Sequence, residues 1–252
     1  MKKLSSLLPL HNSYKKFQLF TFLLFTTCIC LCAALFTTQI ILPASSKGIW
    51  VKNSSDTPPP SKPIIIIDPG HGGRDPGKVG ISETFEKEIN LKIALYLKDL
   101  LESQNIEVIM TRKEDKDLSK TSSNFKISDM KERVALIDNS NASLVVSIHQ
   151  NSYTDSQVHG AQCFYYTDSE EGKELASLIQ KQIITSTNQT KVRQIKGNND
   201  YYLLKHSTLP TVIVECGFLS NPEEEQLLLT KDYQRKMAWA IHLGILQYLN
   251  KN

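Results

Sequence analysis

The stretch from Ile64 to Gly73 constrains the fold of this chain more than any other. It begins with four isoleucines, and a Pro-Gly pair follows one residue later, so it predicts a short buried strand that ends in a turn. His71 lies among Gly70, Gly72 and Gly73, which let the backbone turn sharply and leave the imidazole accessible to a ligand. Open α/β sheets bind ligands at the C-terminal ends of their strands. The sequence therefore predicts either a functional histidine or, as the alternative, a turn histidine without a role.

The first 46 residues differ from the rest of the chain. Four lysines precede an uncharged apolar run from Phe17 to Leu42, and a run of about 20 apolar residues can span a bilayer. The small residues Ala44, Ser45 and Ser46 also provide a site for a signal peptidase. Residues 1–46 are therefore predicted to be either a cleaved signal sequence or an uncleaved membrane anchor. Both alternatives leave the lysines in the cytoplasm and export the rest of the chain, to the outer face of the membrane or the cell wall.

A linker and one folded domain are predicted to follow. Residues 47–62 are rich in Pro and Ser, which is typical of a semi-extended linker, and residues 63–252 form the predicted catalytic domain. The formal net charge of +3 gives no sign of a nucleic-acid-binding surface, and the 40% hydrophobic content suits a globular core. Two cysteines, Cys163 and Cys216, lie outside the apolar run. They could form one disulfide, but their apolar surroundings favour two small buried thiols.

Periodicity along the domain predicts alternating strands and helices. Helical spacing is found over about 88–102, 130–137, 174–184 and 237–249, with Ser128 or Asp129 as the cap of the second helix. Pro222 is predicted to open a further helix with an acidic first turn. Short apolar runs predict strands at 107–110, 144–149, 162–166 and 212–215, while 201–204 is ambiguous. This alternation predicts a single α/β domain with a twisted, largely parallel sheet flanked by helices, preceded by the N-terminal hydrophobic segment.

Three predicted strands end in a side chain that can bind a metal or move a proton, namely His71, His149 and Glu215. The C-terminal ends of parallel strands share one edge of the sheet, and Glu86 returns to that edge at the start of the first helix. Two histidines and one carboxylate are the usual protein ligands of a catalytic zinc ion, and a second carboxylate can deprotonate its water. Spacing alone leaves open which glutamate binds the metal and which deprotonates the water. It also leaves open whether the histidines have only a structural role.

The remaining polar candidates have plainer interpretations. His159 and His206 follow polar or loop residues and are expected to be solvated, and His242 lies on the last helix. Asp68 either orients His71 as a hydrogen-bond acceptor or simply forms the turn before its proline.

Four sequence blocks together resemble a known family. They are IDPGHGG at 67–73, EKEINL at 86–91, SIHQN at 147–151 and VECGFLSN at 214–221. In this order they resemble the motifs of the zinc-dependent N-acetylmuramoyl-L-alanine amidases of the third amidase family, over about 64–250. The resemblance implies cleavage of the amide between the lactyl group of N-acetylmuramic acid and the L-alanine of the peptidoglycan stem peptide.

Carried over by position, the resemblance implies the role of each site residue. His71, Glu86 and His149 become the Zn²⁺ ligands, and Glu215 becomes the catalytic glutamate. Cys216, next to that glutamate, is then expected to be a packing residue and not a nucleophile. Residues 138–143 and 193–196 depart from the family pattern, which leaves contacts with the substrate, and not metal binding, in question.

The bare layout of hydrophobic segment, linker and catalytic domain is similar to that of the germination-specific amidases of spore-forming bacteria, and so is the stretch GAQCFYY at 160–166. This implies a role in the spore cortex, where removal of the stem peptide precedes muramic-δ-lactam formation, and an exported lipoprotein activator as a partner. The alternatives are a vegetative cell-separation amidase, another zinc peptidase or deacetylase of the wall, and a membrane-anchored wall-binding module without activity.

Overall fold

The computed structural model describes residues 62–187 and 191–251. The predicted membrane or signal segment and nearly all of the predicted linker lie outside these residues. In chain order the described elements are β1 (Ile64–Pro69), α1 (Glu86–Ser103), β2 (Glu107–Met110), α2 (Phe125–Asp138), β3 (Leu144–Asn151), β4 (Gln162–Tyr165), α3 (Glu170–Thr187), β5 (Lys196–Gly197), α4 (Tyr202–His206), β6 (Thr211–Phe218), α5 (Pro222–Leu228) and α6 (Lys231–Leu249).

The strands form one sheet in the order β2-β1-β3-β6-β4-β5. Strands β2, β1, β3 and β6 are parallel, and β4 runs antiparallel to β6. The predicted α/β class and largely parallel sheet are confirmed. Because β1, β3 and β6 are neighbours with one direction, their C-terminal ends meet at the same edge, where His149 lies directly opposite Glu215 in the register.

The isoleucines of β1 are buried on both faces of the sheet. Ile65 and Ile67 join the core formed with α1, α3 and α6, whereas Ile66 faces α2 and α4 on the other side. All three side chains are fully buried. A strand covered by helices on both faces needs apolar residues at every position, which explains the uninterrupted isoleucine run.

The second helix begins earlier than its periodicity predicted. It starts at Phe125, after Asn124 in the left-handed conformation, so the prediction of Ser128 or Asp129 as its cap is wrong. Both side chains bind the preceding loop instead. Ser128 Oγ accepts from the amide of Lys120 at 3.2 Å, and Asp129 Oδ1 accepts from the amide of Leu118 at 2.6 Å.

Other local predictions are confirmed. Pro222 is the first residue of α5, and the ambiguous stretch 201–204 mostly becomes the short helix α4. Cys163 and Cys216 are buried free thiols. Within residues 62–187 and 191–251, no helix has the length and hydropathy needed to cross a bilayer.

A buried ion pair supports the loop that follows β1. Asp68 accepts hydrogen bonds from Thr111 Oγ1 at 2.6 Å, from Ser147 Oγ at 2.7 Å and from Arg133. Burial alone would raise the pKa of Asp68, but Arg133 and the two hydroxyls lower it to about 2. Both carboxylate oxygens are therefore occupied, and the hypothesis that Asp68 orients the His71 ring is wrong. Instead, Arg133 Nη2 donates to the His71 carbonyl at 2.7 Å.

We expect Arg133→Met to lower the free energy of unfolding by about 3–5 kcal/mol, because it leaves the buried Asp68 carboxylate without its charged partner. The pKa of Asp68 is depressed in the folded state, so the stability from its ionisation is present above its ordinary pKa of 3.8 and is lost as the pH falls toward 2. Urea unfolding at pH 7 measures the difference. Lys131→Met, on an exposed position of the same helix, is the control and should change stability by less than about 0.5 kcal/mol. An equally small change for Arg133→Met would contradict this account.

Candidate active site with a metal-binding cluster

The structure brings His71, Glu86 and His149 together at the C-terminal edge of the sheet. One ligand atom from each lies within 4.8 Å of the others. His71 is in the loop after β1, Glu86 is the first residue of α1, and His149 is near the end of β3. Glu86 is only 1% exposed, whereas both histidine side chains remain partly accessible. Such a cluster can hold a metal ion that is open to substrate on one side.

Glu86 lies between the two imidazoles, and both of its oxygens are oriented by hydrogen bonds. Oε2 lies 3.1 Å from His71 Nε2 and accepts from the amide of Lys78 at 2.8 Å. Oε1 lies 2.9 Å from His149 Nδ1 and accepts from the amide of Gln150 at 3.0 Å. Burial alone would raise the pKa of Glu86, but the hydrogen bonds and charges of the two histidines hold it well below its ordinary value. Glu86 is thus an ionised, fixed carboxylate.

Two glycines make room for this cluster. A Cβ atom on Gly70 would lie 2.2 Å from Cε1 and Nε2 of His149, so any side chain there would displace the ring. Gly77 has a φ of +72°, and a Cβ atom on it would lie 2.6 Å from Glu86 Oε2. Glycine at these positions is therefore required both for close approach and, at Gly77, for the backbone conformation.

His71 is held in an uncommon conformation. Its φ of 62° is in the left-handed region, although it is not a glycine. Its ring nitrogen Nδ1 lies 2.7 Å from Asp75 Oδ2, opposite the Nε2 that faces Glu86. Burial disfavours the charged ring, but hydrogen bonds to Asp75 and Glu86 raise the pKa of His71 to about 9.

Glu215 is a carboxylate of a different kind, because no charged group of the described residues lies at bonding distance from it. It is 6% exposed, and burial raises its pKa to about 7. The Tyr201 hydroxyl donates to Oε1 at a long 3.5 Å, while Oε2 is buried without a hydrogen-bond partner among the described residues. Tyr201 and Glu215 line a cleft of about 430 Å³ that also contains His71, Glu86 and His149. A carboxyl group that lines a cleft and has a pKa near neutral pH can accept or deliver a proton.

All four residues singled out in the sequence thus meet in one cleft, and the other histidines within residues 62–187 and 191–251 do not join the cluster. His159 bonds the carbonyl of Gln157, His206 is exposed, and His242 is buried on α6 beside Trp239. Sequence reasoning missed Asp75 and Tyr201. Only its position indicated a role for Asp75, since it follows His71 by four residues in a glycine-rich turn.

A mostly parallel α/β sheet with a His-Glu-His cluster and a nearby buried glutamate is compatible with the metal site of a hydrolase. The family model described as N-acetylmuramoyl-L-alanine amidase, Amidase_3, matches residues 65–247. The chain belongs to this family, as its four sequence blocks predicted, and it is a peptidoglycan amidase.

Individual relatives refine the comparison. The germination-specific N-acetylmuramoyl-L-alanine amidase of Bacillus subtilis is 41% identical over 197 residues, which cover 77% of this chain and 82% of the relative. The CwlD amidase of Clostridioides difficile, solved in complex with the GerS lipoprotein, matches with a TM-score of 0.73 and 43% identity, over 76% of this chain and all of that one. A second N-acetylmuramoyl-L-alanine amidase, from Clostridium difficile 630, has a TM-score of 0.69 and 33% identity, over 76% of this chain and 98% of that one.

Proposed function

We propose that this amidase is zinc-dependent, with His71, Glu86 and His149 as the zinc ligands and Glu215 as the catalytic proton carrier. The observation that carries the proposal is the cluster itself, whose three ligand atoms lie within 4.8 Å of one another. Two imidazole nitrogens and one carboxylate, with a position left for water, are a typical catalytic zinc set. The partnerless buried oxygen of Glu215 supports the assignment, because such an atom calls for a water or substrate group in the cleft.

Bound zinc would polarise the lactyl carbonyl and lower the pKa of its water to about 7. The chain's own residues do the rest. Glu215 takes the proton of the attacking water and later delivers it to the leaving nitrogen of L-alanine. The Tyr201 hydroxyl, which lies 3.5 Å from Oε1, would help to orient this carboxylate. Cys216 takes no part, because burial raises the pKa of its thiol well above the ordinary value and keeps it protonated.

We expect Glu215→Gln to lower turnover on peptidoglycan by about a hundredfold or more, because the amide keeps the shape of the side chain but cannot accept a proton. Release of stem peptides with free L-alanine amino ends, followed by mass spectrometry, measures turnover. Zinc content and thermal unfolding should match the parent protein. Turnover close to that of the parent would remove Glu215 from the mechanism.

His71→Ala, Glu86→Ala and His149→Ala should each weaken zinc binding strongly, because each removes one of three protein ligands. Competition with a chromophoric chelator gives the dissociation constants. His159→Ala is the matched control, since His159 lies outside the cluster and should bind zinc like the parent. Unchanged binding in any of the three ligand variants would refute the ligand set.

The proposed setting is the spore cortex. Its support is the similarity to a germination-specific amidase of Bacillus subtilis and to the CwlD amidase. The domain at residues 63–252 would be exported by the hydrophobic segment within residues 1–46, to which the linker at residues 47–62 joins it. It would remove stem peptides before muramic-δ-lactam forms.

Deletion of the gene should leave cortex without the lactam and spores that fail to germinate. Normal cortex together with chained vegetative cells would favour a role in cell separation.

An exported lipoprotein is the proposed partner, because the CwlD relative was solved in complex with one. Glu86 stands at a loop–helix junction, so a partner that orders this junction would raise metal affinity.

We therefore expect the chain alone to bind zinc loosely and to cleave stripped glycan slowly. The lipoprotein should increase both the zinc affinity and the rate of cleavage. Measuring zinc content and turnover with and without it tests this. Full zinc occupancy and rapid turnover by the chain alone would contradict an activator.

A further inference from the structure

We propose that Asp75 and Lys126 form a positioning pair that fixes the ring of His71, and that the segment 113–126 sets the metal affinity of the site through this pair. The inference deepens the proposed function and rests on its metal centre. Asp75 touches neither substrate nor metal in this scheme, so it is a positioning residue. The pair joins two parts of the chain that are distant in sequence, the loop after β1 and the first turn of α2.

The turn that carries Asp75 brings it back to the ring. Gly72 and Asp75 exchange two backbone hydrogen bonds, each 3.0 Å long, which close the turn. Asp75 Oδ2 is then 2.7 Å from His71 Nδ1, while His71 Nε2 is 3.1 Å from Glu86 Oε2. A carboxylate on Nδ1 keeps the ring proton there and leaves the Nε2 lone pair for a metal.

The second oxygen of Asp75 is also occupied. Lys126 Nζ lies 2.8 Å from Oδ1, and the amide of Gly77 lies 3.4 Å from the same oxygen. The Asp75 side chain is 14% exposed, whereas that of Lys126 is 64% exposed. Lys126 therefore holds, from the solvent side, a carboxylate that is itself mostly shielded. The Lys126 ammonium group contacts Oδ1 while Oδ2 faces the ring, so both oxygens of Asp75 are held in place.

The same two chain segments are linked by further contacts. Arg74 pairs with Asp117 at 2.9 Å and its guanidinium lies 4.5 Å from the centre of the Phe125 ring. The amide of Gly73 donates to Asp115 Oδ1 at 2.8 Å. The loop residues 73–75 are thus held along their length by residues 115–126. Because these contacts surround Asp75, the position of its carboxylate follows the position of that segment.

The two histidines are held by different means. The His149 ring lies against Gly70, where even a Cβ atom would not fit, and its position follows from strand β3. His71 lies beyond the end of β1 in a left-handed conformation, where no strand pairing fixes its side chain. The His71 ring therefore depends on Asp75 in a way that the His149 ring does not.

Zinc affinity of the full-length chain in detergent, measured by chelator competition, tests the pair. We expect Asp75→Ala to weaken zinc binding about 10–100-fold, the usual effect of losing a group that orients a ligand. Asp75→Asn should weaken it less, because the amide oxygen can still accept the Nδ1 hydrogen bond. Lys126→Met should weaken it at least about threefold, since it leaves Asp75 in place but unrestrained.

A matched control and a double variant test whether the change in zinc affinity comes from this ion pair or from the loss of any surface lysine. Lys120→Met also removes one lysine and one ion pair, the 2.6 Å contact with Glu132 of α2, but this pair does not reach the loop. It should bind zinc like the parent protein. Asp75→Ala combined with Lys126→Met should bind zinc no more weakly than Asp75→Ala alone, because Lys126 acts only through Asp75.

The outcomes distinguish this inference from the proposed function. Zinc binding by Asp75→Ala or Lys126→Met within about twofold of the parent, while Glu86→Ala has lost it, would overturn the positioning pair and keep the metal centre. Glu86→Ala binding zinc like the parent would overturn both. Thermal unfolding of the metal-free proteins is recorded alongside, and exposed Lys126 provides the variant least liable to misfold.

Discussion

The loop that carries His71 depends on two buried arginines. Arg133 pairs with Asp68 and donates to the carbonyls of Pro69 and His71, while Arg112 donates to those of Pro69 and Gly70. A loop that leaves the sheet at a buried edge would otherwise contain carbonyls without partners. Buried guanidinium groups are costly unless they are paired, and here the Asp68 carboxylate and these carbonyls accept their hydrogen bonds. His71 is consequently held on a rigid base, although it lies in a loop.

The two glutamates of the site show how position determines chemistry. Glu86 starts a helix between two imidazoles, which hold its pKa low and favour a ligand. Glu215 lies on the central strand β6, where burial raises its pKa to about 7. The two carboxylates lie in one cleft, yet their pKa values are shifted in opposite directions. The lowered pKa suits metal binding, and the raised pKa suits proton transfer. The environment, and not the residue type, distinguishes them.

Local pattern was a good guide to the elements but not to their ends. Apolar runs and helical spacing predicted five of the six strands and the long helices, because burial on a sheet or a helix face repeats with a fixed period, whereas the two-residue strand β5 was not predicted. The start of α2 was misplaced because Ser128 and Asp129 have the chemistry of helix caps, yet their side chains bind a loop that precedes them by eight and eleven residues. Such bonds depend on where the loop lies in space, which periodicity does not report.

The sequence by itself determined the sheet, its apolar central strands and the placement of His71, His149 and Glu215 toward one edge, because parallel strands bring their C-terminal ends together. The strand that carries Glu215 nevertheless continues to Phe218, beyond its predicted end. The sequence motifs also determined the family. Only the tertiary structure decided that Asp75 reaches His71 and that Tyr201 reaches Glu215. Asp75, His71 and Tyr201 lie in loops, whose paths follow from packing and from individual hydrogen bonds and not from a repeating pattern.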